Sequence, residues 1–211
     1  QHFWPALAVS WIVAAIFGVL LGAPTLRLRG DYLAIVTLGF GEIVPNVFRN
    51  AEKYTNGVKG INPIKTPTTI HIGDHMIRFN SSDQRNWYWL MMLIALFSLF
   101  IIRRLYDSRL GRTWQAIRED EIAAASMGVN LVKTKLLAFA LGASFAGFAG
   151  SVYSSAFQFV DSSQFQFSVS VTVLSMIILG GLGNVYGAVI GALLIGGFDR
   201  ILTDALNPRV H

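Results

Sequence analysis

Apolar residues fall along this chain in long blocks, with the polar residues gathered between them. Phe3–Ala23 is uncharged and carries Trp4 and Trp11 towards its start, as an interfacial belt would. Pro24 closes it, and Arg27 and Arg29 sit just beyond. Tyr32–Phe48 is a second block, interrupted by Gly39, Gly41, Glu42 and Pro45. A carboxylate, two glycines and a proline in one apolar stretch predict a broken helix, or a helix facing protein or water rather than lipid. Trp87–Ile102 and Leu136–Phe157 follow as the third and fourth blocks, Val169–Leu179 opens a fifth, and Gly187–Leu202 makes a sixth. The longer blocks approach the ~20 residues that span a bilayer. The expected fold is therefore all-α: a polytopic integral membrane protein of about six segments, one transmembrane domain over residues 1–211.

The polar stretches are unequal. Residues 50–86 are rich in Asn, Thr, Pro and Gly and read as an extracytoplasmic loop. Within it, Thr69–Ile72 and Met76–Phe79 alternate as strands do, which predicts a small hairpin around Gly73-Asp74. Residues 103–135 form a charged, helix-prone cassette far longer than a turn requires. Its Leu110–Met127 portion has helical spacing, with Leu110, Trp114, Ile117, Glu121 and Ala124 on one stripe and Arg112, Gln115, Arg118 and Glu119 elsewhere. Gly128 and Asn130 supply a stop. Such an insert is expected to dock a soluble partner. The competing reading is an amphipathic helix lying on the membrane surface. With strict alternation of the segments, nine Lys/Arg fall on the side of the cassette and eight on the other. The density of the cassette argues that its face is cytoplasmic.

Composition narrows the chemistry. Hydrophobic residues make up 53% and charged residues only 14%, against about a quarter charged in soluble domains. The formal charge of +5 arises at the ends of apolar runs, with no basic run interleaved with aromatics, so nucleic acid is not an expected partner. The absence of cysteine excludes thiolate nucleophiles and thiolate metal sites within these residues. Gly180-Gly-Leu-Gly-Asn-Val-Tyr-Gly187 superficially suggests a nucleotide loop, but it lacks the third glycine at the right spacing, a Walker Lys-Ser/Thr and a surrounding βαβ unit. His71 and His75 flank Asp74 in a loop with no clear third ligand, which favours solvated histidines over a metal site. No Ser/His/Asp order and no paired intramembrane carboxylates occur, so no catalytic residues, cofactor or metal are assigned. Gly142, Ala146, Gly150 and Ser154 recur every four residues, as do Gly183, Gly187 and Gly191. Small residues at that spacing predict close helix packing, with no ligand needed to explain them.

The cassette also carries a resemblance. Glu121-Ile-Ala-Ala-Ala-Ser-Met-Gly128 resembles the acidic-Ala-Ala…Gly coupling loop of bacterial ABC importer permeases. The segments Arg27–Glu42, Thr55–Ile61, Gly111–Glu121 and Gly180–Gly187 resemble, in order, the branched-chain amino acid permeases, specifically the M-type member of the leucine/isoleucine/valine system. The match runs over nearly the whole chain; Pro45 departs from the usual basic or small residue. The resemblance implies a type II importer-like helix bundle in the bacterial inner membrane. It further implies a sister permease, two cytoplasmic ABC ATPases and a periplasmic amino-acid-binding protein as partners. It also implies helices before Gln1 and after His211. Arg112, Trp114, Ile117, Arg118, Glu119, Asp120, Glu121, Ala124, Met127 and Gly128 become the expected ATPase-coupling residues. The interruption at Gly39, Gly41 and Glu42 becomes the first candidate for the translocation path, its exposed backbone and carboxylate meeting the substrate's ammonium group. Thr37, Asn46, Thr55 and Asn56 join it. Glu42 alternatively has an interfacial or capping role. Rival readings are a urea or short-amide permease of the same family and a secondary transporter that uses no ATP.

Overall fold

A computed structural model of the protein describes residues 3–26, 31–64, 66, 70–72, 75–77 and 84–206. It is predominantly helical and divides into two compact units, Gln1–Ser163 and Gln164–His211.

The first unit is built on α1 (Phe3–Thr25), α2 (Asp31–Asn50), α4 (Gln84–Tyr106) and α7 (Leu131–Phe157). A short α3 (Glu52–Thr55) follows α2, and two helices, α5 (Arg109–Glu119) and α6 (Glu121–Ser126), join α4 to α7. Between α3 and α4, β1 (Ile70–Ile72) pairs antiparallel with β2 (His75–Ile77), with His71 opposite Met76. That is the hairpin the alternation predicts; its connecting Gly73-Asp74 lies outside the described residues.

Helices α1 and α7 form the principal contact, and small residues allow it. An added Cβ at Gly18 would lie 2.6 Å from the Ala143 Cβ and 2.7 Å from the Phe139 carbonyl oxygen. One at Gly147 would collide with the Ala14 Cβ and lie 2.7 Å from the Ser10 carbonyl oxygen. Rising numbers on α1 therefore meet falling numbers on α7, so the two run antiparallel. Backbones come together because lipid offers no hydrophobic drive between helices and close van der Waals contact must replace it. The four-residue stripe at Gly142, Ala146 and Gly150 was expected to make such contacts. Instead, Cβ atoms added at Gly142 and Gly150 meet nothing within 4 Å. The close face of α7 is displaced by one residue, to Phe139, Ala143 and Gly147.

Helix α2 runs unbroken through Gly39, Gly41 and Pro45, which corrects the expected interruption. An internal proline removes one backbone hydrogen bond without ending the helix when its surroundings hold it, and Pro45 is buried. The exposed backbone expected at Gly39–Glu42 is accordingly absent.

The continuous helix expected over Leu110–Met127 is also corrected. Asp120 has extended geometry (φ −150°, ψ 110°) and ends α5. Its Oδ1 accepts hydrogen bonds from the backbone N–H of Ile122 (2.8 Å) and Ala123 (3.0 Å), so it caps α6. An aspartate able to satisfy two orphan donors favours a restart over a continuous helix. Asp120→Ala is expected to destabilise α6 by about 1 kcal/mol. Faster amide hydrogen exchange at Ile122 and Ala123, with α5 unchanged, is the check.

In the second unit, α8 (Phe167–Gly180) and α9 (Val185–Leu206) form a helical hairpin. Gly180 meets Gly187 backbone to backbone, and Gly191 lies against the Met176 carbonyl. Gly183 is not part of that stripe; at φ +89° it belongs to the turn, with Gly181 at φ +97°. Asn184 Oδ1 accepts from the Tyr186 N–H at 3.0 Å and helps start α9. The glycine-rich motif is thus a corner between two helices.

Among the described residues, three helices are long and apolar enough to cross a membrane: α1, α4 from Arg85, and α7. The six expected segments are not all of that kind. Helix α2 carries Glu42 and Arg49 in its length, and α8, at 14 residues, reaches only ~21 Å at 1.5 Å per residue.

Candidate functional site

The end of the first unit where α4 finishes and α7 begins holds the expected coupling residues. Ser108 turns the chain there. Its hydroxyl donates to the Leu105 carbonyl (2.6 Å) and accepts from the Gly111 N–H (3.3 Å), capping α5. Gly111 is buried, and a Cβ on it would overlap the Tyr106 carbonyl oxygen, so only glycine lets α5 fold back this tightly on α4. The Arg112 Nη1 donates to the Asp107 carbonyl at 2.9 Å, tying the same corner.

Two contacts fasten the pair of helices to α7. The Trp114 indole Nε1–H donates to the Thr134 carbonyl at 2.9 Å. The Lys135 Nζ lies 2.7 Å from Glu121 Oε1, an ion pair on the surface. Ala124 is buried and Ile117 half-buried, whereas Arg112, Arg118 and Glu119 are exposed. Leu110, on the same stripe by its spacing, is exposed. Gly128, at φ +85°, closes α6 with its N–H on the Ala125 carbonyl. Asn130 Oδ1 then accepts from the Lys133 N–H (3.0 Å) and starts α7. Ile122 is left 80% exposed and Met127 85% exposed.

Residues expected on the translocation path are separated. Thr37 lines a cavity of about 530 Å³ between α1, α2 and α7. Glu42 and Asn46 are exposed on α2, and the Asn46 amide donates to the Glu42 carbonyl at 2.9 Å. Gly39 and Gly41 lie in the same helix without lining that cavity. Thr55 and Asn56 build a corner beyond α2. The Thr55 hydroxyl donates to the Ala51 carbonyl (2.9 Å), and Asn56 is left-handed at φ 61°. The following loop is joined to the segment after α7 by reciprocal backbone bonds between Ile61 and Val160, and Arg49 of α2 donates from Nε to Ser162 Oγ at 3.2 Å.

The cavity wall includes residues that reading the sequence missed: Thr25, Phe40, Phe139 and the α1 glycines Gly18 and Gly22. The signal was present, since Ser10, Ala14, Gly18 and Gly22 repeat every four residues. A second cavity, about 350 Å³ between α1, α4 and α7, is lined by apolar residues such as Trp11, Phe97 and Phe145, with Ser98 the lone hydroxyl. No group of three His, Cys, Asp or Glu able to hold a metal occurs among the described residues.

The family model described as the permease component of a branched-chain amino acid transport system matches residues 1–210. The chain is 40% identical, over 96% of its length and 51% of the relative's, to the high-affinity branched-chain amino acid transport system permease protein LivM of Salmonella typhimurium. The LivM protein of Escherichia coli matches to the same extent. The LivH permease protein of Escherichia coli is 28% identical over 75% of this chain and 52% of its own. The chain therefore spans about half the length of these curated relatives. No solved structure matches it. The matched family and the apolar helices agree on a multi-pass membrane protein, and the chain belongs to the branched-chain amino acid transport permeases, as a LivM-like member.

Proposed function

We propose that this chain belongs to one half of the translocation pore in an ATP-driven importer of branched-chain amino acids, located in the bacterial inner membrane with a type II importer-like bundle. A sister permease completes the pore, two cytoplasmic ATPases drive it, and a periplasmic binding protein delivers substrate. Residues 50–86 then face the periplasm and residues 103–135 the cytoplasm. The observation that carries this reading is the α5–α6 corner, tied to α7 by Trp114 and Glu121 while presenting Ile122 and Met127 outward. An ATPase closing on ATP would push that corner, and α7 would carry the motion into the bundle as a rigid-body shift between outward and inward states. The permease itself then needs no hydrolytic residue.

The test is affinity purification of the full-length permease in mild detergent, with Ile122→Asp and Met127→Asp combined. Both side chains are mostly exposed, so the bundle should fold unchanged. Buried apolar anchors at an interface are worth ~2 kcal/mol or more each, so two ATPases recovered with the natural protein should be lost from the variant. Undiminished recovery would remove these residues from the docking surface. Recovery of no ATPase with the natural protein would favour a transporter that does not use ATP.

A further inference from the structure

Gly142 meets no other helix among the described residues. A Cβ on it meets nothing within 4 Å, and its backbone is ordinary helix inside α7. Glycine there is less favourable than alanine by about 1 kcal/mol. By contrast, Gly18 and Gly22, across the same cavity, sit within 3.0 Å or less of α7 atoms once a Cβ is added. The open space beside Gly142 is the cavity of about 530 Å³, within the ~300–1,000 Å³ range of small-molecule sites.

The wall is also chemically mixed. Leu21, Phe40 and Phe139 supply apolar surface. Thr25 and Thr37 supply hydroxyls. The Thr25 hydroxyl is buried and spends its proton on the Gly22 carbonyl at 2.8 Å, which leaves its oxygen lone pairs as acceptors. An acceptor of that kind suits an ammonium group, while the neighbouring aromatic and aliphatic surface suits a branched hydrocarbon. The all-apolar cavity by α4 offers only one hydroxyl and lacks this combination. The cavity occupies the half of the bundle nearer α5: Thr25 ends α1, and Gly142 stands eleven residues into α7.

We infer that the cavity between α1, α2 and α7 is the part of the translocation path that takes the substrate's branched side chain, with Gly142 setting its width. This rests on the importer reading above. The side chain passes Gly142 with the hydrocarbon against Phe40 and Phe139, and the ammonium group is offered the Thr25 and Thr37 oxygens.

These 211 residues contain no cysteine, so Gly142→Cys gives a thiol that fits the open space and is alkylated only after assembly. The full-length permease, assembled with its partners in proteoliposomes, is treated with N-ethylmaleimide, and leucine uptake and ATP hydrolysis are measured. The natural complex, treated alike, sets the baseline. Gly150→Cys, also in open space but away from the cavity, is the control. One methylene of misfit in an apolar pocket is worth about 10–200-fold, so the bulkier adduct at position 142 should lower uptake at least about tenfold, with hydrolysis retained. A position-142 thiol that does not react, as when a lipid chain fills the cavity, would overturn the inference. So would full uptake by the labelled protein, or an equal loss at position 150. A natural complex that carries leucine, isoleucine and valine no better than protein-free vesicles would instead sink the importer reading.

Discussion

Gly147→Leu is expected to stop α7 from seating on α1, while Gly150→Leu, three residues along the same helix, leaves the protein folded. The difference follows from what each new side chain meets. At position 147 even a Cβ strikes the Ala14 methyl and the Ser10 backbone oxygen. A backbone atom cannot move aside by changing rotamer, so the helices must separate along their main contact. Overpacking usually costs about 1–3 kcal/mol, and the loss here should reach or exceed the top of that range. At position 150 nothing lies within 4 Å. The check is the yield and thermal transition of the full-length permease in mild detergent. Equal behaviour of the two variants would mean that α1 and α7 do not touch as described.

Glu121→Lys is expected to separate uptake from ATP hydrolysis while keeping the fold. The Glu121–Lys135 pair is exposed, with side chains 46% and 31% accessible, and such pairs contribute ~0–1 kcal/mol. Losing it should lower the thermal transition by no more than about 4 °C. Its position has the larger effect, because it joins α6 to the second turn of α7. A coupling free energy of ~1–3 kcal/mol corresponds to about 5–150-fold, and leucine uptake should fall within that range. The double variant Glu121→Lys/Lys135→Glu tells the tie from a docking contact. Recovery of uptake means that the pair transmits motion within the permease. Continued loss, with fewer ATPases bound, means that the carboxylate itself meets the ATPase. Normal coupled uptake by the single variant would remove Glu121 from either role.

Much of this architecture was legible in the sequence, and the failures share a cause. Block lengths identified α1, α4 and α7, and period-two alternation identified the hairpin, because both signals are local. The break at Asp120 was local too, but an aspartate inside a helical stripe reads as one more polar position until its side chain is seen capping Ile122 and Ala123. Gly142 and Gly147 could not be told apart by spacing. Each begins or continues a run of small residues, and only the partner helix decides which run is pressed against a backbone and which faces open space. Glu42 drew attention as a carboxylate in an apolar stretch. Thr37, also a candidate, lines the cavity with Thr25, Phe40 and Phe139, residue types that carry no signal alone. Their significance comes from three helices converging, which no single segment encodes.

The attachment points of α5 and α6 on α7, at Thr134 and Lys135, lie within about two turns of Phe139 and Gly142. Each residue of an α-helix turns the chain by about 100°. One residue inserted or deleted between Lys135 and Phe139 would leave the attachment intact but swing everything after it by that angle. A deletion would bring Phe148 to the place of Gly147 against α1 and turn Gly142 out of the cavity. Loops elsewhere in the first unit can change length by a residue with local effect. This stretch has a set phase, so losing a residue here disturbs the bundle more than exchanging one residue type for another.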